Sequence, residues 1–233
     1  MGRIFDLDSP IMRFLSKIAD LIYLNILALI CCIPIITIGA SITSLHYVLL
    51  KMVRDEDSYL TKTFFKSFKE NFKQSTIIWL IIVAVLALFI GDFYILSYTV
   101  IKYSSILRAI LIGVGVILLM VITYVFPILS KFDNTIVNTI KNAFFMSILS
   151  LPKTIGMMVC YAAPVLLLYL FPQVAPVVIF LGISGPSYLA ALMYNKVFKR
   201  FEPEEETKNA DDWFIEPMKE DQGEIEDQEN QAD

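Results

Sequence analysis

A series of long apolar stretches constrains this chain more than any other feature. Five such runs are separated by polar connections and lie at residues 18–38, 77–98, 106–128, 154–171 and 174–195. A helix that crosses a bilayer needs about 20 predominantly apolar residues. The mean hydropathy of +0.66, with only 18% charged residues, is typical of a membrane protein and excludes a disordered chain. The sequence therefore predicts an all-α fold, a polytopic transmembrane helix bundle with five clear spans.

Residues 41–53 form a sixth apolar segment whose path is ambiguous. Pro34 and Gly39 are expected to interrupt the first run before it. At 1.5 Å per residue the segment is about 20 Å long, which is shorter than the roughly 30 Å hydrocarbon core. It is therefore expected to be a short crossing helix, a re-entrant segment or an interfacial helix.

Lysine and arginine predict the orientation of the spans, because the cytoplasmic connections of membrane proteins are enriched in them. The connections 51–76, 129–153 and 196–200 hold six, three and three of these residues, whereas 99–108 holds two and 172–176 holds none. The first three are therefore predicted to be cytoplasmic, and the C-terminus with them. If the short sixth segment crosses the membrane, the basic N-terminus is also inside; otherwise it is outside.

The strongest amphipathic pattern lies in residues 58–75, directly before the second apolar run. At 100° per residue its phenylalanines fall on one side of a helix and its lysines on the other. Such a helix fits the inner headgroup layer, with rings in the acyl boundary and ammonium groups near anionic lipid. A docking surface for a partner protein is the alternative, and nucleic-acid binding is not expected. The residues of this surface are Lys62, Phe64, Phe65, Lys66, Phe68, Lys69, Phe72 and Lys73.

Residues 133–151 repeat this pattern with fewer charges. Their isoleucines and phenylalanines recur every four positions, which predicts a second interfacial helix on the cytoplasmic side. Asp133 or Asn134 is the expected N-cap, and Pro152 is expected to end the helix before the next span.

Polar and helix-breaking residues inside the apolar segments are the candidate functional sites, because ionisable groups are expensive in a bilayer. Asp92 is the single acid of the second span, and His46 is the only histidine of the chain. A transport pathway would use such groups, whereas packing within the bundle is the plainer interpretation of both. Gly182, Gly185 and Pro186 predict a kink or break near the middle of the last span.

Acidic residues are concentrated in the final segment. Residues 1–200 carry 17 lysines and arginines against 9 acids, and residues 201–233 carry 2 against 14. The final segment has too little apolar content to fold alone and is predicted to be a disordered cytoplasmic tail. Trp213 and Phe214 are candidates for anchoring this tail to a partner groove or to the basic cytoplasmic face. A fully solvated tail is the alternative.

Motifs of enzymes and of nucleotide-binding proteins are absent from the sequence. There is no Gly-x-Ser-x-Gly, no phosphate-binding glycine loop and no His/Glu metal spacing, and the three cysteines have no metal-ligand pattern. We therefore expect no catalytic residue, no metal and no cofactor. The coupling loop of an ABC permease is matched only in the Leu-Pro ending of residues 138–152.

Five short motifs carry a resemblance to known proteins. They are Asp8-Ser9-Pro10, Met12-Arg13-Phe14, CCIPIITIGAS at 31–41, FFKSFKENFKQS at 64–75 and Phe132-Asp133-Asn134-Thr135. Together they resemble the YesL-like family of bacterial integral membrane proteins over most of residues 5–198. The resemblance implies a membrane protein of uncharacterised activity without a catalytic motif. It also implies a gene setting, mainly in Gram-positive bacteria, beside carbohydrate-uptake ABC transporters, glycan-degrading enzymes and two-component regulators.

These observations predict a non-enzymatic accessory or regulatory protein of the bacterial cell membrane, associated with carbohydrate (oligosaccharide) uptake. Its expected partners are the anionic inner leaflet and an ABC transporter permease or a sensor kinase, and it could form a homo-oligomer. The alternative is a small-molecule or sugar transporter or channel in its own right. That protein would use Asp92 and the break between Gly182 and Pro186.

Overall fold

The computed structural model describes residues 10–56, 59–98 and 105–202. Within these ranges the protein forms α-helices and no strand, so the predicted all-α bundle is confirmed. The helices are α1 (Pro10–Cys31), α2 (Ile38–Val53), α3 (Leu60–Tyr98), α4 (Ser105–Lys131), α5 (Ile136–Leu149), α6 (Leu151–Leu170), α7 (Ala175–Leu181) and α8 (Ser184–Phe198). Short 3-10 turns at Ile35–Thr37 and Pro172–Val174 precede α2 and α7.

Among the residues that the structure describes, five helical stretches are long and apolar enough to cross a membrane. They are Ile11–Cys31, Ile35–Val53, Leu60–Tyr94, Arg108–Lys131 and Leu151–Leu170. The last predicted span is instead a bent pair, in which Pro172–Leu181 and Ser184–Phe198 meet at 59° and together make a sixth candidate. These helices support a multi-pass membrane protein.

The first apolar run is interrupted over residues 32–37, which include Pro34 but not Gly39. α1 ends at Cys31, three residues before Pro34, and the Thr37 hydroxyl closes the turn by donating to the carbonyls of Cys31 at 2.6 Å and Pro34 at 2.7 Å. Gly39 is no interruption, because it lies in the first turn of α2. The segment with the ambiguous path is therefore part of a 19-residue apolar stretch, which is long enough to span by length and composition.

Gly39 lies at a close approach between α2 and α3. A Cβ atom at this position would lie 2.5 Å from the Ser75 carbonyl oxygen and 2.7 Å from the Trp79 Cβ. Small residues allow the backbones of membrane helices to approach in this way. Close beside this contact, the indole of Trp79 donates to the Ile35 carbonyl at 2.9 Å.

The predicted surface helix 58–75 and the predicted span 77–98 form one continuous helix, α3, of 39 residues. The switch from amphipathic to apolar sequence does not interrupt the backbone, because residues 60–90 contain neither glycine nor proline. At 1.5 Å per residue α3 is about 58 Å long, roughly twice the hydrocarbon thickness. Only about half of it can therefore lie among acyl chains.

α2 forms the centre of the bundle and packs most extensively against α3, with further contacts to α4 and α1. Ala40, Leu45, Val48 and Leu49 are completely buried. Thr43 and Ser44 are satisfied within α2, by donating to the carbonyls of Gly39 at 2.8 Å and Ala40 at 2.7 Å, whereas the Ser41 hydroxyl donates to the Ala28 carbonyl of α1 at 2.8 Å. They therefore contribute to packing.

The cytoplasmic-side helix predicted at 133–151 corresponds to α5, which is capped by a different residue from those expected. Thr135 has an extended backbone and its side chain accepts from the Asn138 amide at 3.4 Å, so it is the N-cap in place of Asp133 or Asn134. The chain divides after Val197 into a helical body and a C-terminal unit. The predicted tail, with Trp213 and Phe214, lies outside the described residues except for its first two positions.

Candidate functional site

A buried asparagine of α1 occupies the break between α7 and α8. In a continuous helix the Ile183 amide would donate to the Ile179 carbonyl. Here the Asn25 side chain bonds to both of these groups instead. Its Nδ2 donates to the Ile179 carbonyl at 2.8 Å, and its Oδ1 accepts from the amides of Ile183 at 3.0 Å and Ser184 at 2.9 Å. The Asn25 side chain is fully buried. An inserted side chain of this kind is a recognised cause of a sharp helix bend.

The predicted break residues occupy different parts of this bend. Gly182 lies in the bend itself, where a Cβ would meet the Val178 carbonyl oxygen. Gly185 and Pro186 follow in the first turn of α8. A proline is tolerated there because the first amides of a helix have no partner within it. The interruption therefore precedes Pro186 and is stabilised by Asn25 from another helix.

A cavity of about 540 Å³ adjoins the bend. Its walls come from α2, α4 and α6, with Trp79 from α3 and Gly182, Ile183 and Ser187 from the bend and α8. Most of the lining is apolar. Small-molecule sites commonly have volumes of about 300–1,000 Å³ with a few polar groups, so this space is the strongest candidate for a ligand site.

His46 lies in the wall of this cavity and is buried within the bundle. Its Nδ1 is 3.3 Å from the hydroxyl of Tyr194, whose ring meets the imidazole edge-to-face. One residue beyond Tyr194, the Asn195 side chain accepts from Arg54 Nε at 3.0 Å. The structure thus places His46 in a polar cluster that links α2 to α8.

Asp92 is not part of this site. Its side chain is exposed, and it follows Trp79 on α3 by 13 residues, or about 20 Å along the helix. The two intramembrane polar candidates, Asp92 and His46, are therefore not brought together. Asp92 instead lies in a pair of helix segments, 80–98 of α3 and 105–122 of α4, which we call the distal helix pair.

The basic and aromatic residues predicted to face lipid are divided between the bundle and its surface. Phe64 is completely buried and stacks on Phe68 with ring centroids 6.2 Å apart, whereas Phe65 and Phe72 remain more than one-third exposed. The protein itself therefore covers part of the aromatic side, because α2 packs along this half of α3. The lysines of the opposite side are exposed at positions 62, 66, 69 and 73.

Two residues of the site were missed from sequence. Asn25 is the only amide side chain in the apolar run 18–38, and that isolation was the available signal. Tyr161 lies in a long apolar helix, where a tyrosine gives no signal of its own. Only the structure indicates Tyr161, because it shows that the hydroxyl is buried without a standard hydrogen bond among the described residues.

Comparison with known proteins agrees with the predicted resemblance. A family described as "Protein of unknown function, DUF624" matches residues 21–93. A curated relative, "Uncharacterized protein YesL" of Bacillus subtilis (strain 168), is 29% identical over 145 residues. That match covers 62% of this chain and 65% of the relative, slightly less than two thirds of its length. No solved structure matches. The prediction of a YesL-like protein is confirmed, and neither description assigns an activity.

Proposed function

For this YesL-like chain, we propose a role as a non-enzymatic accessory or regulatory protein of the bacterial cell membrane. It would act beside a carbohydrate-uptake system, through contact with a transmembrane helix of an ABC permease or a sensor kinase. The carbohydrate association rests on the resemblance to the YesL-like family. The observation that supports a partner is the distal helix pair.

The distal helix pair has a large apolar surface that the bundle does not cover. Leu88 and Ile106 are 72% and 71% exposed. The two segments approach each other at Gly115, where a Cβ would lie 2.7 Å from the Phe89 ring. Acyl chains can cover such a surface, but they do not offer hydrogen bonds to an exposed carboxylate.

Because Asp92 is part of this surface, a partner helix would stabilise the surface better than lipid acyl chains alone. Its carboxylate is exposed on the distal helix pair, where polar contacts between membrane helices contribute to association. A partner helix with a hydroxyl, amide or basic side chain would satisfy this group. The apolar neighbours would then supply the packing area.

Site-specific crosslinking tests this proposal. A photoreactive amino acid at Leu88 should capture a permease or sensor subunit in native membranes, whereas the same group at Val165 of α6, which is 71% exposed, should not. Asp92→Leu should lower co-purification of that subunit in mild detergent by several-fold. A monodisperse chain that retains no transporter or sensor, with equal crosslinking at both positions, would contradict the proposal. Capture of a second copy alone would show a homo-oligomer instead.

A transporter or channel is the second candidate, favoured by the broken helix. In many transporters a discontinuous membrane helix lies beside the substrate site. The α7–α8 bend, satisfied by Asn25 and adjoining a cavity, has this arrangement. Purified full chain in proteoliposomes should then take up labelled maltose faster than protein-free vesicles, and Asp92→Asn should leave the rate unchanged because Asp92 is remote from the bend. Uptake equal to that of empty vesicles would eliminate sugar transport.

A further inference from the structure

The cavity beside the α7–α8 bend is lined by polar side chains from α2, α6 and α8. The hydroxyl of Tyr161 is buried and makes no standard hydrogen bond within the described part of the chain. The Ser187 hydroxyl is its polar neighbour, and the imidazole of His46 lines the same space. Buried polar groups in native proteins nearly always have partners, so the Tyr161 hydroxyl is a candidate contact for a molecule bound in this cavity.

The donors of the other two polar side chains in the lining are already paired. Thr123 donates its hydroxyl to the Leu119 carbonyl at 2.8 Å, and the Trp79 indole donates to the Ile35 carbonyl. The rest of the surface is aliphatic or aromatic. Typical members of the apolar lining are Ile42, Ile122, Phe126 and Met158.

These properties restrict the chemical class of ligand. The lining that the described residues form includes no lysine, arginine, aspartate or glutamate, so an ionised group would enter without a countercharge from them. A free sugar has many more hydroxyls than three polar side chains can satisfy, and its unpaired groups would oppose binding. A neutral and mainly hydrophobic molecule with one terminal oxygen group carries no charge and has few hydrogen-bonding groups, so it fits the cavity on both grounds.

A second groove, of about 470 Å³, also adjoins the bend and is almost entirely apolar. It is formed by α1, α6 and the α7–α8 segment, and Gly182 lines both spaces. The single basic residue at its edge, Lys17, is paired with Asp55 at 3.2 Å. This groove offers a surface for a hydrocarbon chain that continues out of the cavity.

We propose that the cavity binds a neutral long-chain lipid or alcohol by its terminal hydroxyl or carbonyl group. The oxygen pairs with the Tyr161 hydroxyl beside Ser187, and the chain lies against the apolar lining. Binding at this site requires neither a transporter partner nor transport by the chain, so its test is independent of those proposals.

Photolabelling with a diazirine derivative of hexadecanol tests the site. The full chain is reconstituted in phosphatidylcholine nanodiscs, irradiated and mapped by mass spectrometry. Label is expected on Ile122 or Met158, with unlabelled hexadecanol competing. Ala162→Phe fills the cavity and should reduce this label at least tenfold, whereas Ala109→Phe, on an exposed part of α4, should not.

Tyr161→Phe gives a milder test that preserves packing. Loss of one hydrogen bond should weaken competition by hexadecanol roughly three- to tenfold. Tyr169→Phe on the same helix, where the tyrosine is 83% exposed, should have no effect. The proposal is overturned if hexadecane competes as well as hexadecanol, if maltose competes instead, or if Ala162→Phe leaves the label at Ile122 and Met158 unchanged.

Discussion

Replacing Asn25 with leucine tests whether one side chain maintains the α7–α8 bend. Leucine has the same number and branching of side-chain heavy atoms as asparagine, so the substitution removes the hydrogen bonds without leaving a cavity. Three bonds are lost, one to the Ile179 carbonyl and two from the amides of Ile183 and Ser184. All three join α1 to the bend, so their loss affects tertiary structure directly.

The expected cost follows from the number of bonds. A side-chain hydrogen bond within a membrane bundle contributes about 0.6 kcal/mol on average and up to about 1.7 kcal/mol. Three such bonds amount to roughly 2–5 kcal/mol of unfolding free energy. The low end applies if the Ile183 amide returns to the Ile179 carbonyl and straightens the helix. The high end applies if the bend persists with unpaired groups.

Two measurements separate these outcomes. Titration of the full chain from mild detergent into SDS, followed by circular dichroism, gives the free energy of unfolding. Spin labels at Val177 and Leu192, which are both exposed, report the distance across the bend. Asn138→Leu is the matched control, because Asn138 is exposed on α5.

The reasoning is refuted by a specific pair of results for Asn25→Leu. One is a change in unfolding free energy below about 0.5 kcal/mol, the range of ordinary surface substitutions. The other is an unchanged distance between the labels. Together they would mean that neither the stability nor the bend depends on the amide.

Three further substitutions test the packing, the capping and the lipid contacts. Gly39→Ala should lower the unfolding free energy by about 1–3 kcal/mol because its methyl meets the Ser75 carbonyl, whereas Gly113→Ala, with nothing within 4 Å, should not lower it; SDS titration measures both. Thr135→Ala removes the α5 N-cap and should cost about 0.5–2 kcal/mol in the same assay, with Thr135→Ser restoring most of the stability. Changing four α3 lysines to glutamine should reduce retained phosphatidylglycerol by tenfold or more in native mass spectrometry, since each lysine contributes about 1 kcal/mol near an anionic surface; equal retention would contradict lipid contact. Those lysines are Lys62, Lys66, Lys69 and Lys73.

The helical class was predictable because apolar character adds up over many residues. The run 106–128 falls within α4 (Ser105–Lys131), and 154–171 closely matches α6 (Leu151–Leu170). The amphipathic pattern of α3 also separated aromatic from basic sides. The pattern did not show whether protein or lipid packs against each side, because helical periodicity contains no information on which elements surround a helix. Phe64 is buried by the protein for that reason, although the same pattern suits an acyl boundary.

The candidate site was less predictable because its contacts join distant parts of the sequence. Asn25 and the Ile183 amide are separated by 158 positions, and no local pattern relates them. Glycine and proline indicated a break near residue 182 but not its cause. The cause is a side chain from another helix that takes the place of a backbone hydrogen bond. The sequence also gave no reason to select Tyr161, because its role as a candidate ligand contact follows only from the position of its buried hydroxyl in the cavity wall.

The proposed partner surface around Asp92 and the proposed ligand cavity are different sites, but α4 contributes to both. Leu119 and Ile122, in the last turn of the α4 segment that belongs to the distal helix pair, also line the cavity. Distant substitutions without shared partners usually act additively. If Asp92→Leu weakens partner recovery without changing hexadecanol labelling, the two sites are independent. If filling the cavity with Ala162→Phe also changes partner recovery, then α4 transmits the state of the cavity to the partner surface, as a ligand-dependent regulatory subunit requires.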